Sequence, residues 1–125
     1  VETAELEDGK DIIVVDGTPA FLEKEEGLMP LIFFVEQLEL KSVVVDMGAV
    51  GHISDGADVM APGVKDADES IHKGETVRIE DEKNNKAIAI GKALKNGTEL
   101  KGEKGKVIEN QHYVGDDLWD LKEEF

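Results

Sequence analysis

Small residues recur between residues 43 and 64, where the sequence reads VVVDMGAVGHISDGADVMAPGV. Glycine and alanine let a backbone come close to another group, because no larger side chain stands in the way. One use of such positions is packing against a neighbouring strand. The other is contact with the phosphate backbone of a polynucleotide, which main-chain N–H groups can bind at a helix N-terminus. The positions concerned are Gly48, Ala49, Gly56, Ala57 and Gly63.

Residues that could support catalysis or metal binding lack the spacing that either function needs. His52, His72 and His112 have no other histidine within four residues, and the chain has no cysteine. The acids at 66–69 lack the glycine and the distant glutamate of a calcium loop. The sequence contains neither a phosphate-binding Gly-x-x-x-x-Gly-Lys motif nor a serine nucleophile elbow. It therefore predicts a non-enzyme with no metal and no cofactor.

The small residues need a local framework, and turn chemistry suggests one. The pattern predicts a strand over 42–45, a turn over 46–48 and a short helix over about 55–60. Ser54 or Asp55 is the expected N-cap of that helix. Pro62-Gly63 is expected to end it and redirect the chain.

The first forty residues predict a small α/β unit. Asp16-Gly17 separates the apolar stretches 12–15 and 19–22, a strong signal for a β-hairpin. Pro30 suits the first position of a helix, and the apolar residues from there to Leu38 follow helical spacing. We expect this helix to lie on the hairpin.

The remainder of the chain predicts a small β-barrel. Strand signals recur at 43–45, 77–80, 87–94 and 106–113, separated by polar, turn-rich segments. The expected fold class is thus α+β: a mixed β-barrel with short helices over 41–125, preceded by an N-terminal unit over 1–40. Because the chain begins with valine, we expect that unit to be incomplete.

Charge is distributed unevenly and is mostly negative. The formal net charge is −15, and residues 1–40 account for −9 of it, with two basic and eleven acidic residues. Residues 92–106 have a local excess of +3. Over a Debye length of about 8 Å, such a patch can act despite the average, although a solvated face is an equally good explanation for it. Any RNA binding is expected to be weak and sensitive to salt.

Four separated blocks resemble the PUA domain, an RNA-binding module: residues 43–64, GETVRIE at 74–80, AIAIGKAL at 87–94 and GKVIENQHYVGDDLW at 105–119. The last block, together with residues 13–34, is similar to the malignant-T-cell-amplified-sequence family of translation factors and its archaeal relatives. This resemblance implies a PUA-like mixed barrel and a role in translation through transfer or ribosomal RNA.

The resemblance also implies which residues contact RNA. The first helix, the turn before it and the last strands hold RNA in the family, with phosphate bound by main-chain amides at the helix N-terminus. His112 and Tyr113 are candidates for stacking on a base, and packing is the alternative for Tyr113 and Met60. Asp55, Asp58 and the Gly51-His52 pair depart from the family pattern and weaken phosphate binding. Carried over to this chain, the expected RNA-binding residues are Gly48, Ala49, Gly56, Ala57, Met60, Pro62, Gly63, Val64, Lys65, Lys106, His112 and Tyr113.

A second function class remains open from the sequence. The acidic N-terminal unit could dock a basic ribosomal protein or a second translation factor, which would make the protein an adaptor. We expect a cytoplasmic location from the absence of cysteine, and no membrane association because no apolar run approaches about 20 residues.

Overall fold

A computed structural model describes all 125 residues, Val1 to Phe125. The N-terminal part is an antiparallel sheet in the order β1-β2-β3-β4. Its tight turn at Asp16 and Gly17 has positive φ angles of 51° and 81°, which the twist of a two-residue hairpin favours. The predicted hairpin is confirmed. The strands are β1 (Glu2–Glu5), β2 (Asp11–Val15), β3 (Thr18–Lys24) and β4 (Gly27–Pro30).

The helix predicted from Pro30 to Leu38 is wrong in its type and its start. Pro30 is the last residue of β4, and a 3₁₀ helix follows over Ile32–Gln37. Leu31 N–H donates to Ala20 O at 2.9 Å, which continues the strand pairing past the proline and delays the helix. The strands β1 and β4 were not predicted. The N-terminal unit therefore has four strands, two more than the expected hairpin.

The second sheet has six strands in the order β6-β10-β9-β8-β5-β7. β5 and β8 are parallel, and every other pair is antiparallel. The edge strands β6 and β7 are joined by only the 3₁₀ turn Ala61–Gly63, so the sheet must curl until its edges almost meet. This confirms the mixed β-barrel. Its strands are β5 (Ser42–Val45), β6 (Val59–Met60), β7 (Val64–Ala67), β8 (Thr76–Asp81), β9 (Ala87–Ala93) and β10 (Lys106–Tyr113).

The short helix of the barrel lies earlier in the chain than predicted. Helix α1 spans Met47–Ile53, and Asp46 caps it by accepting the Ala49 N–H at 2.8 Å. The helix predicted over 55–60 is therefore wrong, since those residues form a turn and β6. Gly56 has a φ of +96°, which no helical residue adopts. The Asp46–Gly48 segment, expected to be a turn, is the start of the helix.

Two hydrophobic cores share the barrel strand β9. Ala89 faces the barrel core with Val43 and Ile79, whereas Ile90 points to the opposite side, into a core with Ile12 and Leu121. The alternation of side chains along a strand explains how neighbours enter different cores. The N-terminal sheet therefore packs on the outside of the barrel. The predicted division at residue 41 stays a prediction.

The C-terminal segment crosses back to the N-terminal sheet. Asp116 Oδ1 accepts the Trp119 N–H at 2.8 Å, at the start of a final 3₁₀ helix, Trp119–Glu123. The Trp119 ring stacks on Phe33 with centroids 5.2 Å apart. The chain end is thus attached to the first unit by aromatic packing and by Leu121, which is buried in the core that contains Ile12.

None of the helices combines the length and the apolar character that crossing a membrane would require.

Candidate functional site

A groove of about 630 Å³ runs between α1 and the β6–β7 connection, and we call it the α1–β6 groove. Ile53 and Val59 form a buried apolar floor, and the exposed Met60 side chain forms part of one wall. Lys106, the first residue of β10, supplies the cation that lines it. The full lining is Asp46, Gly48, Ala49, His52, Ile53, Ala57, Asp58, Val59, Met60, Pro62, Gly63 and Lys106.

The groove brings together seven of the twelve residues expected to bind RNA. They are Gly48, Ala49, Ala57, Met60, Pro62, Gly63 and Lys106. The other five do not line it: Gly56, Val64, Lys65, His112 and Tyr113. Val64 is buried in the barrel core, and Lys65 is exposed on the edge strand β7.

At two of the glycine positions a larger residue would collide with neighbouring protein atoms. A Cβ on Gly63 would lie 2.9 Å from Ala49 Cβ, so glycine there lets α1 sit close to the β6–β7 connection. A Cβ on Gly56 would meet the Tyr113 hydroxyl at 3.1 Å. Close packing within the chain, one of the two uses considered for these residues, accounts for both positions.

His112 is fully buried, and the prediction that it stacks on a base is therefore wrong. Ile32 N–H donates to its Nε2 at 3.2 Å, so Nδ1 must carry the ring proton. Nδ1 in turn lies 2.8 Å from Asp116 Oδ2, to which it donates. His112 is a structural link between β10, the C-terminal segment and the 3₁₀ helix at Ile32–Gln37.

Asp116 is ionised in this network. Burial raises the pKa of its carboxyl, but hydrogen bonds from His112, Tyr113 and Trp119 together outweigh that effect and hold the pKa below its ordinary value. The side chain of Tyr113 is partly buried, and its ring lies against Gly56. This contact agrees with packing, the alternative to stacking on a base.

The N-terminus of α1 offers little to a phosphate. Met47 N–H donates to Glu82 Oε2 at 2.7 Å, and Ala49 N–H donates to Asp46. Both amides are thus already bound to carboxylates, and a helix of seven residues has a small dipole. The helix whose first amides were expected to bind phosphate was predicted over 55–60 and does not form, and the Met47 and Ala49 amides of α1 are not free to take over that role.

Asp58 and Lys106 form the polar edge of the groove. Asp58 Oδ1 accepts the Asn110 N–H at 2.8 Å, and Oδ2 lies 3.0 Å from Lys106 Nζ. The Asn110 amide, followed by Lys106, holds the pKa of Asp58 below its ordinary value despite partial burial. Asn110 Nδ2 also donates to the Ile53 and Ala57 carbonyls, which fixes the turn before β6. The groove therefore contains a cation, Lys106, that is paired with an ionised aspartate and still 54% exposed.

Five lining residues were missed as site residues: Asp46, His52, Ile53, Asp58 and Val59. The correct position of α1 would have revealed three of them, because Asp46 caps that helix while His52 and Ile53 end it. Neither in this groove nor in the rest of the chain are three or more histidine, cysteine, aspartate or glutamate side chains placed together to hold a metal ion.

The chain matches known proteins along almost its whole length. The model of the PUA domain family matches residues 41–114. An uncharacterized protein of Methanocaldococcus jannaschii is 44% identical over 120 residues, 94% of this chain and 74% of that protein. Translation machinery-associated protein 20 of Saccharomyces cerevisiae is 32% identical, covering 99% of this chain and 74% of its own length. Malignant T-cell-amplified sequence 1 of Danio rerio is 29% identical over 90% of this chain and 66% of its own.

Solved structures with a similar fold also match this chain. A hypothetical protein from Pyrococcus horikoshii has a TM-score of 0.85 at 38% identity, over 95% of this chain and 77% of that one. An H/ACA ribonucleoprotein bound to a substrate RNA has a TM-score of 0.60 at 26% identity, over 75% of this chain and 29% of that one. The chain therefore belongs to the PUA domain family, in the branch of the translation machinery-associated 20 and malignant-T-cell-amplified-sequence proteins.

Proposed function

We propose that this protein binds RNA as part of translation and that the α1–β6 groove holds an unpaired stretch of transfer or ribosomal RNA. The single observation that carries the proposal is the groove itself, which combines an open apolar wall with a cation at its rim. Such a surface suits the face of an unstacked base next to its phosphate better than it suits a duplex, which proteins recognise mainly by shape and phosphate contacts.

The apolar part of the groove is unusually open for this chain. Met60 is 49% exposed and is one of only a few large apolar side chains that face solvent. Ala57 and Pro62 lie beside it and are also exposed. A flexible thioether next to small residues makes an adaptable surface for a planar ligand.

The positive part of the groove continues beyond Lys106. Ala61 N–H donates to Gly105 O at 2.8 Å, which holds the loop 101–105 against the end of β6. Lys101 and Lys104 belong to that loop and are exposed. A strand leaving the groove over this loop would meet further cations, as binding to single-stranded RNA requires. Because the net charge is −15, binding should be weak and strongly dependent on salt.

The comparisons support the proposal at the level of the family. One relative, of Saccharomyces cerevisiae, is named as a protein associated with the translation machinery, and one structural neighbour is a complex with RNA. We propose a non-catalytic and cytoplasmic role. The carboxylates of the groove have structural tasks in this chain, since Asp46 caps α1 and Asp58 binds Asn110 and Lys106.

Titration of a labelled deacylated transfer RNA at low and moderate salt tests the proposal. Lys106→Glu and Met60→Asp should each weaken binding by roughly tenfold at low salt, through the charge and through the apolar wall respectively. Lys24→Glu makes the same charge change on β3 and should have little effect beyond the change in net charge. Equal effects of Lys106→Glu and Lys24→Glu, or no binding by the unmodified protein, would contradict the proposal.

A further inference from the structure

The polar edge of the α1–β6 groove places three hydrogen-bonding groups side by side. Lys106 Nζ lies 3.0 Å from Asp58 Oδ2 and supplies ammonium donors. Beyond Oδ2 comes Oδ1, which accepts the Asn110 N–H at 2.8 Å and is held in place by that bond. Each carboxylate oxygen has two lone pairs, so both can accept from a further donor. The edge therefore offers a ligand one donor followed by two acceptors.

The carboxylate of Asp58 acts only as an acceptor. The hydrogen bond from the Asn110 amide, followed by the contact with Lys106, holds its pKa below the ordinary value, so it is ionised at neutral pH. Its side chain is 28% exposed, and that of Lys106 is 54% exposed. Both groups are thus fixed by protein contacts and still within reach of a ligand.

This polar edge lies on the same side of the β6–β10 pair as the apolar wall of the groove. Lys106 is the cross-strand partner of Met60. Asp58 comes two residues before Met60, and Val59 between them is buried in the barrel core. Because side chains alternate along extended backbone, Asp58 and Met60 both face the groove. A base that lies flat on the Met60 side chain can therefore direct its edge toward Asp58 and Lys106.

The Watson–Crick edges of the four bases match these groups to different degrees. Guanine presents the acceptor O6 and then two donors, N1–H and the N2 amino group, and so complements all three groups. Uracil presents O4, N3–H and O2, and its second carbonyl would face a carboxylate oxygen. Cytosine and adenine match only two groups, with a ring nitrogen for the ammonium and one amino group for the carboxylate. Bidentate binding by a charged group adds both strength and selectivity.

We propose that the α1–β6 groove selects an unpaired guanine, with the face of the base on Met60 and its Watson–Crick edge bound by Lys106 and Asp58. The inference rests on the proposed binding of RNA and adds the base that the groove prefers. It gives Asp58 a part in recognition, although the charge of this residue opposes phosphate. Sequence-specific recognition of unpaired bases by their Watson–Crick edges is common in proteins that bind RNA.

Fluorescence anisotropy of labelled RNA pentanucleotides at low salt tests the inference. Four probes are uridine at every position except the centre, which is guanosine, adenosine, cytidine or uridine. A fifth has central inosine, which lacks the N2 amino group, and a sixth has central 7-deazaguanosine, which keeps the Watson–Crick edge and lacks the N7 acceptor. The protein variant is Asp58→Asn. Its control is Asp55→Asn, which removes the same charge from an exposed side chain that does not line the groove.

The unmodified protein should bind the guanosine probe roughly tenfold more tightly than the uridine probe. Inosine should bind roughly threefold more weakly than guanosine, and 7-deazaguanosine within about twofold of it. Asp58→Asn still accepts the Asn110 N–H but places an amide donor where Oδ2 was, so the ratio of the guanosine and uridine affinities should fall to about one. Asp55→Asn should keep the preference. The ratio is unaffected by a gain in affinity for every probe that follows from freeing Lys106.

The outcomes separate this inference from the proposed function. Equal binding of the guanosine and uridine probes, or a preference that survives Asp58→Asn, would overturn the guanine assignment. RNA binding at the groove would still stand in that case if Lys106→Glu weakens every probe. Weak binding of 7-deazaguanosine would also overturn the assignment, because the protein would then read the N7 side of the base. No binding of any probe by the unmodified protein would overturn both proposals.

Discussion

The buried His112 offers the sharpest quantitative test of how the molecule is held together. Replacing it by phenylalanine keeps a flat ring of similar size and removes both ring nitrogens. Ile32 N–H then loses its acceptor, and Asp116 loses one of its three donors. We expect the fold to survive and its stability to fall.

The structure allows the loss to be worked out. A buried N–H without an acceptor costs about 1–3 kcal/mol, and a lost hydrogen bond to a carboxylate about 1.5–3 kcal/mol. The second value is an upper bound here, because the Asp116 side chain is 14% exposed and keeps the N–H groups of Tyr113 and Trp119. We therefore expect His112→Phe to lower the free energy of unfolding by about 3 kcal/mol.

Urea denaturation followed by far-ultraviolet circular dichroism measures this change. With a slope of about 1.5 kcal/mol per molar, the midpoint should fall by about 2 M. The control is His72→Phe, since the His72 side chain is 83% exposed and its replacement should change stability by less than about 0.5 kcal/mol. Hydrogen exchange at the Ile32 amide should become faster in His112→Phe alone. The reasoning is refuted if the two variants have the same midpoint.

Three further changes test separate parts of the structure. Gly56→Ala should lower the melting temperature and cost about 1–3 kcal/mol, because φ is +96° and the new Cβ meets the Tyr113 hydroxyl; an unchanged melting curve would contradict this. Asp58→Asn should increase RNA affinity roughly threefold to tenfold at low salt, because it frees Lys106 while still accepting the Asn110 N–H; a titration showing weaker binding would count against the proposed groove. The pKa of Asp116 is lowered in the folded state, so its contribution to stability is complete above the unfolded pKa of about 4 and disappears as the pH falls through the folded pKa. Asp116→Asn should therefore be less stable at pH 7, and its difference from the unmodified protein should shrink in urea titrations below about pH 4; a constant difference would refute the assignment.

Local sequence signals were enough to predict an element of secondary structure where its turn residues are unambiguous. Asp16-Gly17 predicted its hairpin correctly, since few residues accept positive φ at both central positions. The strands β5, β8, β9 and β10 were also predicted, because β-branched or alternating apolar residues mark them. β1 was missed because its sequence ETAE is polar and largely exposed, and it exists through pairing with β2.

The position of α1 could not be predicted from the helix propensity of its residues. The helix contains Gly48 and Gly51, which disfavour helix formation, and it depends on the Asp46 cap and on the burial of Ile53. Ser54 was an equally good cap by sequence, yet it ends the helix. This error of about eight residues, or roughly two helical turns, moved the expected helix to residues 55–60 and hid His52 and Ile53.

Side-chain direction limited the prediction of the site more than secondary structure did. His112 was placed on the correct strand, but nothing local reveals that its ring turns toward Ile32, eighty residues earlier in the chain. A residue shift in the β9–β10 pairing occurs between Asn110 and His112, and such a bulge re-aims the side chains around it. Contacts of this range depend on how the two sheets meet.

Since neighbouring residues of β9 serve both cores, the barrel and the N-terminal sheet are joined through one shared strand and not through a hinge. The α1–β6 groove on the barrel is therefore held at a set distance and angle from the N-terminal sheet. Separating the barrel from the N-terminal sheet would also expose the buried Ile90 side chain to water, so each unit keeps apolar side chains of the other away from solvent.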